Sequence, residues 1–122
     1  DGISEVLKFP QKLPKDFLIK NMMPHQSTFI KRSLFDKYGC YDQSFRIAAD
    51  YEFFVRTLYV HRVSSSYCKE VISVFHTGGV SNDPKWKSIR KLENHRIRKK
   101  YFWKYCFSWR YLRTELKLLF KG

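Results

Sequence analysis

From Lys85 to Lys121 the chain contains neither glycine nor proline, and Asp83-Pro84 stands immediately before this run. An aspartate that can accept first-turn N–H groups, followed by a proline whose fixed φ suits the first helical position, is a helix start. Nothing downstream obliges the helix to stop. The last third of the sequence is therefore expected to be helical, either as one long helix or as two with a break near Lys99. From Phe102 onward Tyr105, Cys106, Trp109, Leu112, Leu116, Leu119 and Phe120 recur at helical spacing, with Lys99, Lys100, Lys104, Arg110, Arg113 and Lys117 on the remaining surface. Such a stripe must be buried against something.

Charge narrows the candidates for that something without choosing among them. Residues 84–122 hold 13 Lys and Arg against 2 Asp and Glu, whereas residues 1–83 hold 11 against 9. The net charge of +13 thus belongs almost entirely to the tail. Packing onto the domain core is one use of the stripe. A second is an anionic membrane surface, since Trp, Phe and Leu opposite Lys and Arg are what an in-plane helix requires. Single-stranded nucleic acid comes third, gripped by basic residues interleaved with aromatics.

A length of 122 residues suits one small domain, and two would each have a marginal core. With 43% apolar and 18% aromatic residues the chain has the material to fold. We divide it into residues 1–83, the folded body, and residues 84–122, a basic aromatic helical extension. Cys40, Cys68 and Cys106 are odd in number and form no CxxC pair, so neither a zinc cage nor a disulfide framework is expected, in keeping with a reducing cytoplasm. No stretch approaches the ~18 consecutive apolar residues of a membrane span, and the N-terminus has no signal-peptide pattern. Membrane contact, if present, is peripheral.

Upstream, Pro10 and Pro14 mark a loop that leads into a short helix over residues 15–20. Pro24 to Ile30 has partial alternation and strand-tolerant side chains, which predicts a strand of about five residues. Arg32 to Tyr38 reads as a two-turn helix, with Ser33 placed to cap it and Gly39 to stop it. A second helix opens at Ala48 or Asp50 and runs through Tyr59, with Glu52 and Arg56 at i, i+4. Tyr67 to Phe75 reads as a second strand, and residues 76–82 as a loop containing Gly78 and Gly79.

Several polar residues sit where chemistry can happen, each with a plain structural use beside it. Asp50 precedes an apolar helical stripe, the ordinary place for an N-cap; a carboxylate kept ionised at a helix start and facing a cleft can also take a proton from a hydroxyl. His76 lies at a strand end, and with no second ligand near it in sequence it can only complete a metal site built elsewhere. His25-Gln26-Ser27 is a polar cluster at the entry to a strand. Arg56 is in register to pair with Glu52. Phosphate-cradling glycine loops are missing.

Taken in order, Pro24-His25-Gln26-Ser27-Thr28-Phe29-Ile30, Leu34-Phe35-Asp36-Lys37-Tyr38-Gly39 with Tyr41-Asp42-Gln43-Ser44-Phe45, Ala49-Asp50-Tyr51-Glu52-Phe53-Phe54-Val55-Arg56, and Val74-Phe75-His76-Thr77-Gly78-Gly79-Val80-Ser81 resemble the second half of family 2 glycosyltransferases of the GT-A fold. The resemblance covers about residues 22–82. It implies that Asp50 matches the acid that acts as base on the acceptor hydroxyl, with Ala49 in place of the preceding glutamate. It implies that His76 helps hold a divalent cation, Mg or Mn, on the donor diphosphate. His25, Gln26, Gly39, Arg56, Gly78, Gly79 and Ser81 are then the candidate substrate-binding positions.

The family's DxD motif, which holds the metal in the N-terminal half, has no counterpart here. The resemblance therefore implies an α+β, helix-rich C-terminal half of a GT-A enzyme, with two or so short strands and a long basic C-terminal helix. Alone, it is expected to be inactive. The expected whole is an inverting hexosyltransferase-like enzyme of bacterial surface polysaccharide or lipopolysaccharide synthesis, taking a nucleotide-sugar donor and a sugar or lipid-linked acceptor. Its expected place is cytoplasmic, with peripheral contact on the inner face of the cytoplasmic membrane. The rival reading is a small basic module for anionic membrane or nucleic acid carried by residues 85–120, nucleic acid being the less favoured.

Overall fold

The computed structural model describes residues 8–74 and 83–106, together with 113, 116, 117 and 120. At its centre is the helix that carries the apolar run after Asp50. Tyr51, Glu52, Phe53, Phe54 and Val55 are successive and all buried, so this helix is covered on every side rather than along one stripe. It comprises α3, Ala49–Phe54, and a wider π-helical turn, Val55–Val60, that continues it. Inside that turn the Thr57 hydroxyl donates to the Phe53 carbonyl at 2.8 Å, a local bond that competes with the regular ladder.

Other elements pack round this centre. Helix α1, Phe17–Lys20, buries Leu18 and Ile19, and the Tyr51 hydroxyl donates to the Leu18 carbonyl. Helix α2, Arg32–Tyr38, lays Phe35 flat on Phe53, with centroids 4.6 Å apart and planes at 21°. Its expected Ser33 cap does not form. Lys31 takes the N-cap position and Ser33 lies inside the helix. The stop at Gly39 does form, at φ 86° and ψ 160°, a region that essentially only glycine occupies.

Neither expected strand is present among the described residues. Strand-tolerant side chains are not enough when no neighbouring strand takes up the backbone groups. In the first segment the Pro24 carbonyl instead accepts the Ser27 N–H at 2.9 Å and the Thr28 hydroxyl at 2.8 Å, closing a 3-10 turn over His25–Ser27. The second segment is irregular through residue 74. The two do lie side by side, with the Ser27 and Ser73 hydroxyls hydrogen-bonded at 2.8 Å.

The basic extension begins as expected. Asp83 accepts the Lys85 N–H at 2.8 Å, Pro84 occupies the first turn, and α4 runs over Pro84–Tyr101. It ends at Phe102 and resumes as α5, Trp103–Cys106, so the break falls three residues beyond Lys99. Within α4 one face is drawn into the core: Glu93, Ile97 and Arg98 are buried, and Phe102 at its end is fully covered, edge-on to Tyr59 at 4.4 Å. Burying Ile97 and Phe102 contributes about 1.5–3 kcal/mol each. Core packing is therefore what α4 does. Farther on, Leu116 and Phe120 are exposed. Among the described residues no helix is long and apolar enough to cross a membrane.

Candidate active site

Asp50 is the second residue of α3, inside the first turn, where a helix favours an ionised carboxylate. It is not the N-cap. Ala48 holds that position and offers no polar side chain, while one Asp50 oxygen accepts the following N–H, that of Tyr51, at 2.7 Å. The other oxygen lies 2.9 Å from His25 Nδ1. The His25 side chain is 51% exposed and that of Asp50 19%, so the pair sits at the surface with the carboxylate set back behind the ring.

Two carboxylates later in the chain, Glu93 and Glu52, brace the surroundings of Asp50. Ahead of the helix, the Glu93 carboxylate of α4 accepts the N–H groups of Arg46 at 2.7 Å and of Ile47 and Ala48 at 2.9 Å each, which holds the segment leading into α3. Burial acts to raise the Glu93 pKa, but the three donors outweigh it and the net shift is downward. Glu52, 1% exposed, lies two positions beyond Asp50 and accepts from both Arg56 and the Tyr101 hydroxyl. Burial, then the bond to Glu52, drives the Tyr101 phenol far above its ordinary value, so it stays a neutral donor.

Arg56 joins α3 to the loop after α2. Its guanidinium reaches Glu52 at 3.1 Å and donates to the carbonyls of Tyr38, of Gly39 at 3.3 Å and of Cys40 at 2.8 Å. Tyr38 is the last residue of α2, and Gly39 and Cys40 follow it, so one planar fork ties the helix end and the loop after it to α3. The loop held this way carries Tyr41, which packs edge-on to Phe53 at 5.3 Å. Burial, and then the charge of Asp50, raise the Tyr41 phenol above 10.0, which places its ring within the field of that carboxylate.

The structure thus brings together two of the residues singled out in the sequence, Asp50 and His25, with Gln26 exposed in the same 3-10 turn. Gly39 and Arg56 meet each other at the back of the loop, where Arg56 pairs with Glu52 as its register suggested. His76, Gly78, Gly79 and Ser81 lie outside the described residues. Tyr41, Glu93 and Tyr101 were not anticipated. For Glu93 there was a signal: it is the lone acid between Asp83 and Glu115 in an otherwise basic helix.

Elsewhere on the surface, Arg96, Lys99 and Lys100 of α4 line a groove of about 350 Å³ with Asp42, Ser44 and Phe45. On α4, Leu92, Arg96 and Lys99 fall on one face at helical spacing, and all three are exposed.

A partly exposed carboxylate fixed at a helix start beside an imidazole suits proton removal from a hydroxyl, and comparison with known proteins places the chain in relation to one class, the glycosyltransferases. Over 73 residues it is 40% identical to uncharacterized glycosyltransferases from two strains of Mycobacterium tuberculosis. That stretch is 60% of this chain and 27% of each relative, so the chain spans about a quarter of the length of the proteins it matches. No family model matches the chain. Nor does any solved structure.

Proposed function

We propose that this chain is the acceptor-side part of an inverting family 2 glycosyltransferase of GT-A fold, moving a sugar from a nucleotide donor to an acceptor hydroxyl in surface polysaccharide or lipopolysaccharide synthesis. The relation to glycosyltransferases supports the reading, and the geometry of Asp50 carries it. In the proposed step Asp50 takes the proton of the acceptor hydroxyl while that oxygen attacks the anomeric carbon. The bond from that carbon to the diphosphate oxygen breaks, its electron pair leaves with the nucleoside diphosphate, and configuration inverts.

Asp50→Asn tests this in the protein as it occurs, with release of nucleoside diphosphate from UDP- and GDP-sugars as the readout. Turnover should fall by about 10²–10⁴-fold with the circular dichroism spectrum unchanged. Near-normal turnover would remove the base assignment.

A divalent cation, Mg or Mn, belongs to the same proposal as the charge that neutralises the departing diphosphate. Among the described residues no three His, Cys, Asp or Glu side chains converge. His76 is the ligand this chain would contribute. A His76→Ala protein is expected to show weaker metal dependence, and an unchanged metal titration would end that role.

A second reading concerns partners and place. The exposed face of Leu92, Arg96 and Lys99, continued by Lys100, Lys104 and exposed Trp103, favours peripheral contact with an anionic membrane at its cytoplasmic side. Binding to phosphatidylglycerol vesicles that persists at high salt, or that survives exchange of these lysines for glutamine, would argue against it.

A further inference from the structure

The Asp50 carboxylate is anchored at both oxygens, and the two anchors differ in kind. The Tyr51 N–H belongs to the backbone of α3, so the helix fixes where it stands. The other anchor, His25, comes from a separate element 25 positions earlier, on a short turn fixed by its own bonds. Pro24 O holds that turn through Ser27 and Thr28, and the Ser27 hydroxyl ties it to Ser73. A carboxylate has about four lone-pair directions, so two anchors leave one free on each oxygen.

We propose that His25 is a positioning residue for Asp50: its Nδ1–H pins one carboxylate oxygen so that the free lone pairs of Asp50 stay aimed at the acceptor hydroxyl. This deepens the transferase reading and rests on it. Removing the imidazole leaves Asp50 held only by its own backbone neighbour and free to turn about its last side-chain bond. Misplacing a reacting group by about 1 Å costs about 10²-fold in rate, so a loss of that order is expected. The 2.9 Å contact also determines the tautomer, because a neutral imidazole can donate here only with its hydrogen on Nδ1.

Two readouts test the proposal, both on the protein as it occurs. The first needs no substrate: ¹⁵N shifts of the His25 ring, measured under conditions where the imidazole is neutral, should report hydrogen on Nδ1. In Asp50→Ala the tautomer should revert to the Nε2–H form that free imidazole side chains prefer. Finding Nε2–H in the unaltered protein would overturn the proposal.

The second follows nucleoside diphosphate release from UDP- and GDP-sugars. His25→Ala should lower kcat about ten- to a hundredfold with KM within about twofold. His25→Asn, whose amide nitrogen can occupy the place of Nδ1, should recover most of that loss. If His25→Ala turns over normally, the positioning role is gone. If His25→Asn is as slow as His25→Ala, the proposal fails in favour of a proton-carrying Nε2. Loss of the transferase reading itself has a separate signature, turnover that survives Asp50→Asn.

Discussion

The Glu93 carboxylate accepts the Ala48 N–H at 2.9 Å across 45 positions of sequence. A helix of the basic extension therefore holds the segment from which the helix that carries Asp50 starts. The N–H groups of Arg46, Ile47 and Ala48, which precede the first turn of α3, all depend on this one distant carboxylate.

Replacing Glu93 by Gln should destabilise the fold by about 1–3 kcal/mol, measured by urea unfolding at neutral pH. One amide oxygen replaces two carboxylate oxygens, and the charge that strengthened the three N–H bonds is gone.

The same residue predicts an acid dependence. Its folded pKa lies below the ordinary value of 4.5, because three N–H groups favour the ionised form more than burial disfavours it. Folding therefore gains stability from Glu93 at pH values above 4.5, and that gain is lost as pH falls through the folded pKa. Asp42, lowered by its bonds to Ser44, acts in the same direction. Unfolding curves recorded from neutral pH down to about pH 3 should show a shallower acid loss for Glu93→Gln than for the unaltered protein.

Arg56→Lys should destabilise although charge is conserved. A lysine can meet Glu52 but cannot reach the carbonyls of Tyr38, Gly39 and Cys40 with one planar group. The expected loss is about 1–3 kcal/mol in urea unfolding. Arg56→Ala should cost more, about 3–5 kcal/mol, since it also strands buried Glu52.

For Gly39→Ala the expected loss is about 1–3 kcal/mol, and its cause is conformational rather than steric. An added Cβ would lie 3.4 Å from Arg56 Nη1, an ordinary contact, whereas the backbone at φ 86° is strained for any L side chain. Gly39→D-Ala, introduced by chemical ligation, should recover most of the stability that Gly39→Ala loses.

Phe102→Ala should cost about 3–5 kcal/mol and free the end of α4, because Phe102 is wholly buried against Tyr59. Lys99→Ala, three residues earlier and exposed, should stay within about 0.5 kcal/mol of the unaltered protein. Amide hydrogen exchange along α4 would separate the two outcomes.

Much of the helical layout was legible, and the reasons are local. The start of α4 needed only Asp83 and Pro84, the end of α2 needed only Gly39, and the Glu52–Arg56 pair needed only i, i+4 register. The strands expected over residues 24–30 and 67–75 rest on alternation and side-chain preference. Preference says which residues tolerate an extended backbone, but a strand also needs a ladder partner, and in the first segment Pro24 found nearer ones in Ser27 and Thr28. For Ser33 and Asp50 the helices began earlier than the capping chemistry suggested, leaving both residues inside the first turn.

By itself, the sequence determined those features whose interacting groups lie within about four residues of each other: caps, a positive-φ stop, a same-face ion pair, and the basic character of the last third. It also carried the ordered motifs that relate the chain to glycosyltransferases, because such motifs are read along the chain. Only the tertiary structure decided that His25 meets Asp50, that Glu93 holds the segment before α3, and that Arg56 ties the loop after α2 to α3. Those pairings join residues 16 to 47 positions apart, and what holds such distant residues together is the shared core that contains Phe53, Ile97 and Phe102.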